Sequence, residues 1–390
     1  MSQPSSLLRT RGQHDSGKVT MVELFFDLVF VYAVTQLSHS LLAKLTMAGA
    51  VEIFALLLAV WWVWIYTSWA TNWLDPERIP VRMSLFVLMF AGLLMSVSIP
   101  AAFAERGLLF AAAYVFMQVG RTLFFLWAVR SGSRNMIRNF QRILAWLLLS
   151  AAFWIAGGLT DGNTRLLCWA AALFIEFISP AMLFWVPGLG RSSTADWDVD
   201  GNHMAERCAL FVIIALGESL LVTGATFADQ SWNFDVITAF VIAVVGTVAL
   251  WWIYFDSGAQ RAHHRIIHSD DPGQQARVAY TYIHTLIIAS IIVCAVADEL
   301  VLAHPDHASN AGISALLGGP ALYVLGCALF KWVTSGRRMP PLSHLVGLGL
   351  LTTLLPFAYA HVFSALVLSA LTTSVLVAVW ESHSVRHSAS

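Results

Sequence analysis

Val22-Glu23-Leu24-Phe25-Phe26-Asp27-Leu28-Val29-Phe30-Val31 sets two carboxylates four residues apart at the start of a long apolar run. On a helix, positions i and i+4 lie one above the other on the same face. An acid at the centre of a membrane helix costs roughly 2.5–3.5 kcal/mol on insertion scales. Glu23 and Asp27 therefore need a cation, a proton or water, and the rest of the chain must supply one of these.

The setting is a bilayer. Of 390 residues 58% are hydrophobic and only 12% charged, about half the charge of a soluble globular chain. The charges fall in short breaks between apolar runs long enough to span, which takes ~20 residues each. Sixteen Trp suit aromatic belts at the two interfaces. A net charge of −1 gives no electrostatic case for nucleic acid. Cys168, Cys208, Cys294 and Cys327 lie singly inside apolar runs and read as small buried residues. No cleavable signal peptide is expected, because residues 1–18 are polar and the run after them carries Glu23 and Asp27 without a small-residue cleavage site.

An all-α polytopic fold of about twelve transmembrane helices follows. The expected spans are 19–43, 48–73, 82–103, 108–129, 142–160, 166–187, 205–225, 236–257, 278–302, 316–334, 342–360 and 362–381, the tenth being among the shortest. Lys and Arg in the short loops set orientation. One side carries Arg9, Arg11 and Lys18, then Arg78 and Arg82, then Arg130, Arg134, Arg138 and Arg142, then Arg191, then Arg261, Arg265 and Arg277, then Lys331, Arg337 and Arg338. The other carries only Lys44, Arg106 and Arg165. Both termini are expected in the cytoplasm.

A faint duplication runs through the chain. Glu23 before Leu28-Val29 parallels Glu206 before Phe211-Val212, and Trp64-Ile65-Tyr66 parallels Trp252-Ile253-Tyr254. Two six-helix halves of the same sense would be parallel repeats. The expected organisation is a polar arm 1–18, a first half 19–187, a linker 188–204, a second half 205–381 and a tail 382–390.

Several polar positions lie inside the spans. Arg121 sits about thirteen residues into the fourth, roughly 20 Å along the helix at 1.5 Å per residue, which places it at the depth of Asp27. It is the expected partner of Asp27 or Glu23, since an isolated charge there costs far more than a paired one. In the seventh span His203, Glu206, Arg207 and Glu218 fall on about a third of the circumference. Glu218 has no cation near it in sequence and follows Gly217, where a neighbouring backbone is expected to come close. In the ninth span His284 is the expected partner of Asp256. In the sixth, Pro180 removes the amide that would bond the Glu176 carbonyl, so a kink with an unsatisfied acceptor is expected. His263, His264 and His268 with Asp270 and Asp271 match no firm metal pattern, and no phosphate loop or hydrolase motif appears. No cofactor or metal is expected.

The Val22–Val31 block resembles the bacterial low temperature requirement A family. So does His203-Met204-Ala205-Glu206-Arg207-Cys208-Ala209-Leu210-Phe211-Val212-Ile213-Ile214-Ala215-Leu216-Gly217-Glu218-Ser219. Arg121 to Trp127, Trp251-Trp252-Ile253-Tyr254-Phe255, and Tyr280 with His284 extend the resemblance across nearly the whole chain in order. It implies a polytopic protein of the bacterial cytoplasmic (inner) membrane, linked by name to growth in the cold, and brings no substrate, reaction or cofactor.

From the residues three functions compete. The first is a proton-linked secondary transporter or permease, moving a small solute and a proton through Glu23, Asp27, Arg121, Glu206, Arg207, Glu218, Asp256 and His284. The second is a non-catalytic membrane sensor or accessory protein, in which the charges only fix helix register. The third is a membrane-embedded lipid-modifying enzyme, disfavoured by the short loops.

Overall fold

The computed structural model describes residues 6–9, 18–130, 132–192, 199–256, 274–275, 277–304, 309–335, 338–358 and 363–389. These form twelve long helices in the expected order. They are α1 Met21–Ala43, α2 Met47–Trp73, α3 Ile79–Ala101, α4 Gly107–Ala128, α5 Arg134–Gly158, α6 Gly162–Ile178, α7 Gly201–Ala228, α8 Phe234–Phe255, α9 Arg277–Ala303, α10 Asn310–Ser335, α11 Leu342–Phe357 and α12 Phe363–Ala389. Ten are long and apolar enough to cross a membrane. The chain is a multi-pass membrane protein.

The short helices are α6, with 17 residues, and α11. The tenth, expected to be among the shortest, has 26. Its start lies earlier because the Ser309 hydroxyl accepts from the Gly312 amide at 3.0 Å, a side-chain cap on an orphan N–H. The fifth helix likewise begins at Arg134 rather than 142, because Ser133 Oγ accepts from the Met136 amide at 3.2 Å. Arg134, Arg138 and Arg142 thus belong to a helix, not a loop. The sixth span ends at Ile178 instead of running kinked to 187. The carbonyl of Glu176 is not left open there: Ser179 Oγ donates to it at 2.8 Å.

The chain divides into two compact units, Met1–Ser40 with Met47–Arg207, and Leu41–Thr46 with Cys208–Ser390. The division falls within α7.

In the first unit α2 is the most enclosed element. Trp61, Trp62 and Trp64 are all buried, and so is a polar stripe of Thr67, Ser68, Thr71 and Asn72. α5 packs on α4 and α6, and α3 on α4. α1 shows Phe25 and Leu28 outward and turns Glu23 and Asp27 inward, the arrangement a lipid-facing helix requires. The segment before it is pinned to the end of α2: the Arg9 amide donates to the Trp73 carbonyl at 2.8 Å, and the Asp75 amide to the Leu7 carbonyl at 2.9 Å.

In the second unit α9 packs along α10, α8 against α12, and α11 against both α10 and α12. The α9–α10 approach depends on Gly319 and Gly326. A Cβ on Gly319 would lie 2.8 Å from Cys294 Sγ, and one on Gly326 would lie 2.8 Å from Ile287. Small residues that let two backbones come together are a usual means of joining helices in lipid.

Candidate functional site

Glu23, Asp27, His203 and Arg207 converge in the first unit, each at most 1% exposed. α1 brings the two acids. The first two turns of α7 bring His203 and Arg207, four residues apart and so on one face. The residue pattern that gave α1 its internal acids therefore meets a cationic stripe on another helix.

Glu23 is saturated. Its Oε2 accepts from Arg9 Nη2 at 2.9 Å, the Thr20 amide at 2.9 Å and Thr20 Oγ1 at 3.0 Å. Its Oε1 lies 2.7 Å from His203 Nε2. The tautomer of His203 follows from its neighbours. Asn72 Oδ1 accepts from the Asp200 amide at 2.9 Å, which turns Asn72 Nδ2 toward His203 Nδ1 at 3.3 Å. Nδ1 must then accept, and the proton on Nε2 points at Glu23.

Asp27 is held on one oxygen only. Oδ1 accepts from Arg207 Nη2 at 2.9 Å and from Trp64 Nε1 at 2.8 Å. Oδ2 is buried and takes no hydrogen bond from any described residue. Arg207 is steadied by Ser68 Oγ, 3.1 Å from Nη2, and by the Trp64 ring, 5.5 Å below the guanidinium. Its Nη1 is likewise hydrogen-bonded to no described residue and lies 4.0 Å from Glu23 Oε1. Two acids thus face two arginines and one histidine. Among the described residues one acceptor and one donor remain open there.

Arg121 is not part of this cluster, contrary to the expectation from its depth. It donates to Thr67 Oγ1 at 3.1 Å, to the Val63 carbonyl at 3.3 Å and to Gln118 Oε1 at 2.5 Å. The reason lies in α2. Thr67 and Ser68 are adjacent, so they project about 100° apart. Each spends its proton on the carbonyl four residues back, at 2.8 and 3.1 Å, and each oxygen accepts from a different arginine. Ser68 serves Arg207; Thr67 serves Arg121. Arg121 thus meets the residue next to Ser68 on α2, but not the acids of α1.

A second buried network surrounds Glu176. Gln118 receives Arg121 on its carbonyl oxygen and donates from Nε2 to Glu176 Oε2 at 3.1 Å. Tyr114 donates to the same oxygen at 2.5 Å, and Ser150 and Trp154 donate to Oε1 at 2.7 and 3.0 Å. Gln118 lies in a π-helical turn, Phe116–Gly120, a form found in single turns and often at functional positions.

The remaining expected site residues lie apart from these. Glu206 is exposed, and its Oε2 accepts from the Val19 amide at 3.2 Å. The sequence parallel of Glu23 with Glu206 is thus not a parallel of environment. Glu218 is only half-buried, and among the described residues nothing outside its own helix stands within 4 Å of where a Cβ on Gly217 would lie. His284 does not bond Asp256. Its Nδ1 lies 2.8 Å from the Ala279 carbonyl, which fixes the proton there, and its Nε2 accepts from Tyr254 at 2.8 Å. Asp256 accepts instead from Ser382. His263, His264, His268, Asp270 and Asp271 lie outside the described residues. Among the described residues no group of three or more His, Cys, Asp or Glu is placed to hold a metal.

Sequence reasoning missed Arg9, because it lies in a polar arm outside any span. It missed Trp64, Ser68 and Asn72 as ligands, although the spacing of Ser68 and Asn72 along a Trp-rich helix marked a polar stripe. It also missed Lys331, read as a loop charge, which donates to Glu381 at 2.6 Å in the second unit.

A model of the bacterial low temperature requirement A protein (LtrA) matches residues 18–380. An uncharacterised protein of Rhizobium meliloti (strain 1021), RA0937, is 42% identical over 377 residues, covering 96% of this chain and 91% of that protein. No solved structure matches the chain. The matched residues take in the acid-bearing α1 and the start of α7, and the chain belongs to the bacterial low temperature requirement A (LtrA) family.

Proposed function

We propose that the protein is a proton-linked secondary transporter or permease of the bacterial cytoplasmic membrane, with Asp27 and Arg207 as its polar centre. One observation carries this reading. Asp27 Oδ2 and Arg207 Nη1 are buried and hydrogen-bonded to no described residue. Such groups are costly in a purely structural pair. An open acceptor beside an open donor suits a small polar solute, and a proton arriving at Asp27 Oδ2 would weaken the hold on Arg207. Glu23 and His203 then keep the centre in place, and Glu218 is a candidate for a second proton position.

A sensor or accessory role has its own support. Glu23 is saturated and ties the Arg9 arm to the start of α7, as a register lock would.

Proteoliposomes loaded with a pH-sensitive dye separate the two. Under an inward proton gradient they are challenged in turn with amino acids, sugars and polyamines. At least one class should speed internal acidification, and Asp27→Asn should abolish the effect. Identical acidification with and without every solute, in wild type and Asp27→Asn alike, would favour the sensor.

A further inference from the structure

The second unit contains a cavity of about 60 Å³ among α8, α9, α10 and α12. Asp298 of α9 lines it and forms no hydrogen bond or ion pair with any described residue. We propose that this cavity binds a small monovalent cation, with Asp298 as its one charged ligand.

The lining offers acceptors and no basic side chain. Thr247 Oγ1 donates to the Ala243 carbonyl at 3.1 Å, and Ser374 Oγ to the Ala370 carbonyl at 3.1 Å. Their protons are committed, so their oxygens have only lone pairs left to offer. Pro320 lines the same cavity from inside α10. It has no N–H, so the carbonyl of Leu316, another lining residue, loses its helical donor. The residues around this otherwise apolar cavity thus include a carboxylate, two hydroxyls and a carbonyl without its helical donor, all hard oxygen ligands.

Charge and size narrow the ligand. One carboxylate balances one positive charge; calcium takes six to eight oxygens, commonly from several acids. A water-sized species needs roughly 10–15 Å³ of such space, so the cavity admits a few, not a sugar. An alkali ion and a small protonated amine share this chemistry.

The site lies outside the Asp27–Arg207 cluster and does not depend on the transport reading. The full chain in detergent is melted in sodium, potassium, methylammonium and choline chloride at equal ionic strength. A cation that binds the folded state raises the midpoint. A rise over choline in sodium or potassium identifies an alkali ion, and a rise in methylammonium alone identifies an amine. Asp298→Asn should remove the rise. Thr247→Ala and Ser374→Ala should each raise the half-saturating concentration by about threefold to tenfold, the worth of one polar contact. Equal midpoints in all four salts would overturn the proposal. So would an unchanged rise in Asp298→Asn or, should that variant not fold, unchanged half-saturation in both hydroxyl variants. Either failure leaves solute-driven acidification unaffected.

Discussion

Arg207 Nη2 donates to Asp27 Oδ1 across 2.9 Å, joining the start of α7 to the first turns of α1. In lipid neither charge is tolerable alone, and each explains the presence of the other. The pairing needs α2 as well. Trp64 takes the same carboxylate oxygen and Ser68 takes the guanidinium.

The Glu176 network should behave as one unit. Tyr114→Phe removes a donor to Glu176 and an acceptor for Gln118, and is expected to cost about 1–3 kcal/mol. Gln118→Leu should cost more, because it strips a partner from both Arg121 and Glu176. Thermal melts of the purified variants check the order. Equal small losses would mean Gln118 does not bridge.

The Arg9–Glu23 pair should hold the N-terminal segment to α2. Glu23→Gln neutralises the carboxylate that pairs with Arg9 while leaving the Arg9 backbone bond at Trp73. Limited trypsin digestion should then cut faster after Arg9 than in wild type. An unchanged rate would place the hold in the backbone pairing alone.

Much of the fold was legible in the sequence, because bilayer thickness fixes span length and apolar runs show it directly. The ends were less legible. Ser133 and Ser309 extend α5 and α10 by capping, a signal weaker than hydropathy. The site was half legible. Glu23 and Asp27 stood out as acids in lipid, and His203 and Arg207 as a stripe. Their joining could not be read, since the rotation of α4 decides where Arg121 points and only Thr67 and Gln118 reveal it. His284 and Asp256 were plausible partners by depth, and Tyr254 and Ser382 bind them instead.

Glycine substitutions should separate packed from open positions. Gly319→Ala and Gly326→Ala meet α9 at 2.8 Å and should each cost about 1–3 kcal/mol by overpacking. Gly217→Ala and Gly349→Ala meet no described residue of another element within 4 Å and should be neutral or stabilising by up to about 1 kcal/mol. Melting midpoints decide; equal losses in both pairs would contradict the close α9–α10 contact.

The most direct measurement is a double-mutant cycle on Asp27→Asn and Arg207→Met, read as unfolding free energy in detergent. Each single change should cost about 3–5 kcal/mol by leaving a buried charge without its partner. The double variant should cost less than their sum, with a coupling of about 1–3 kcal/mol. Losses that add to within about 0.5 kcal/mol would contradict the pairing of α1 with α7.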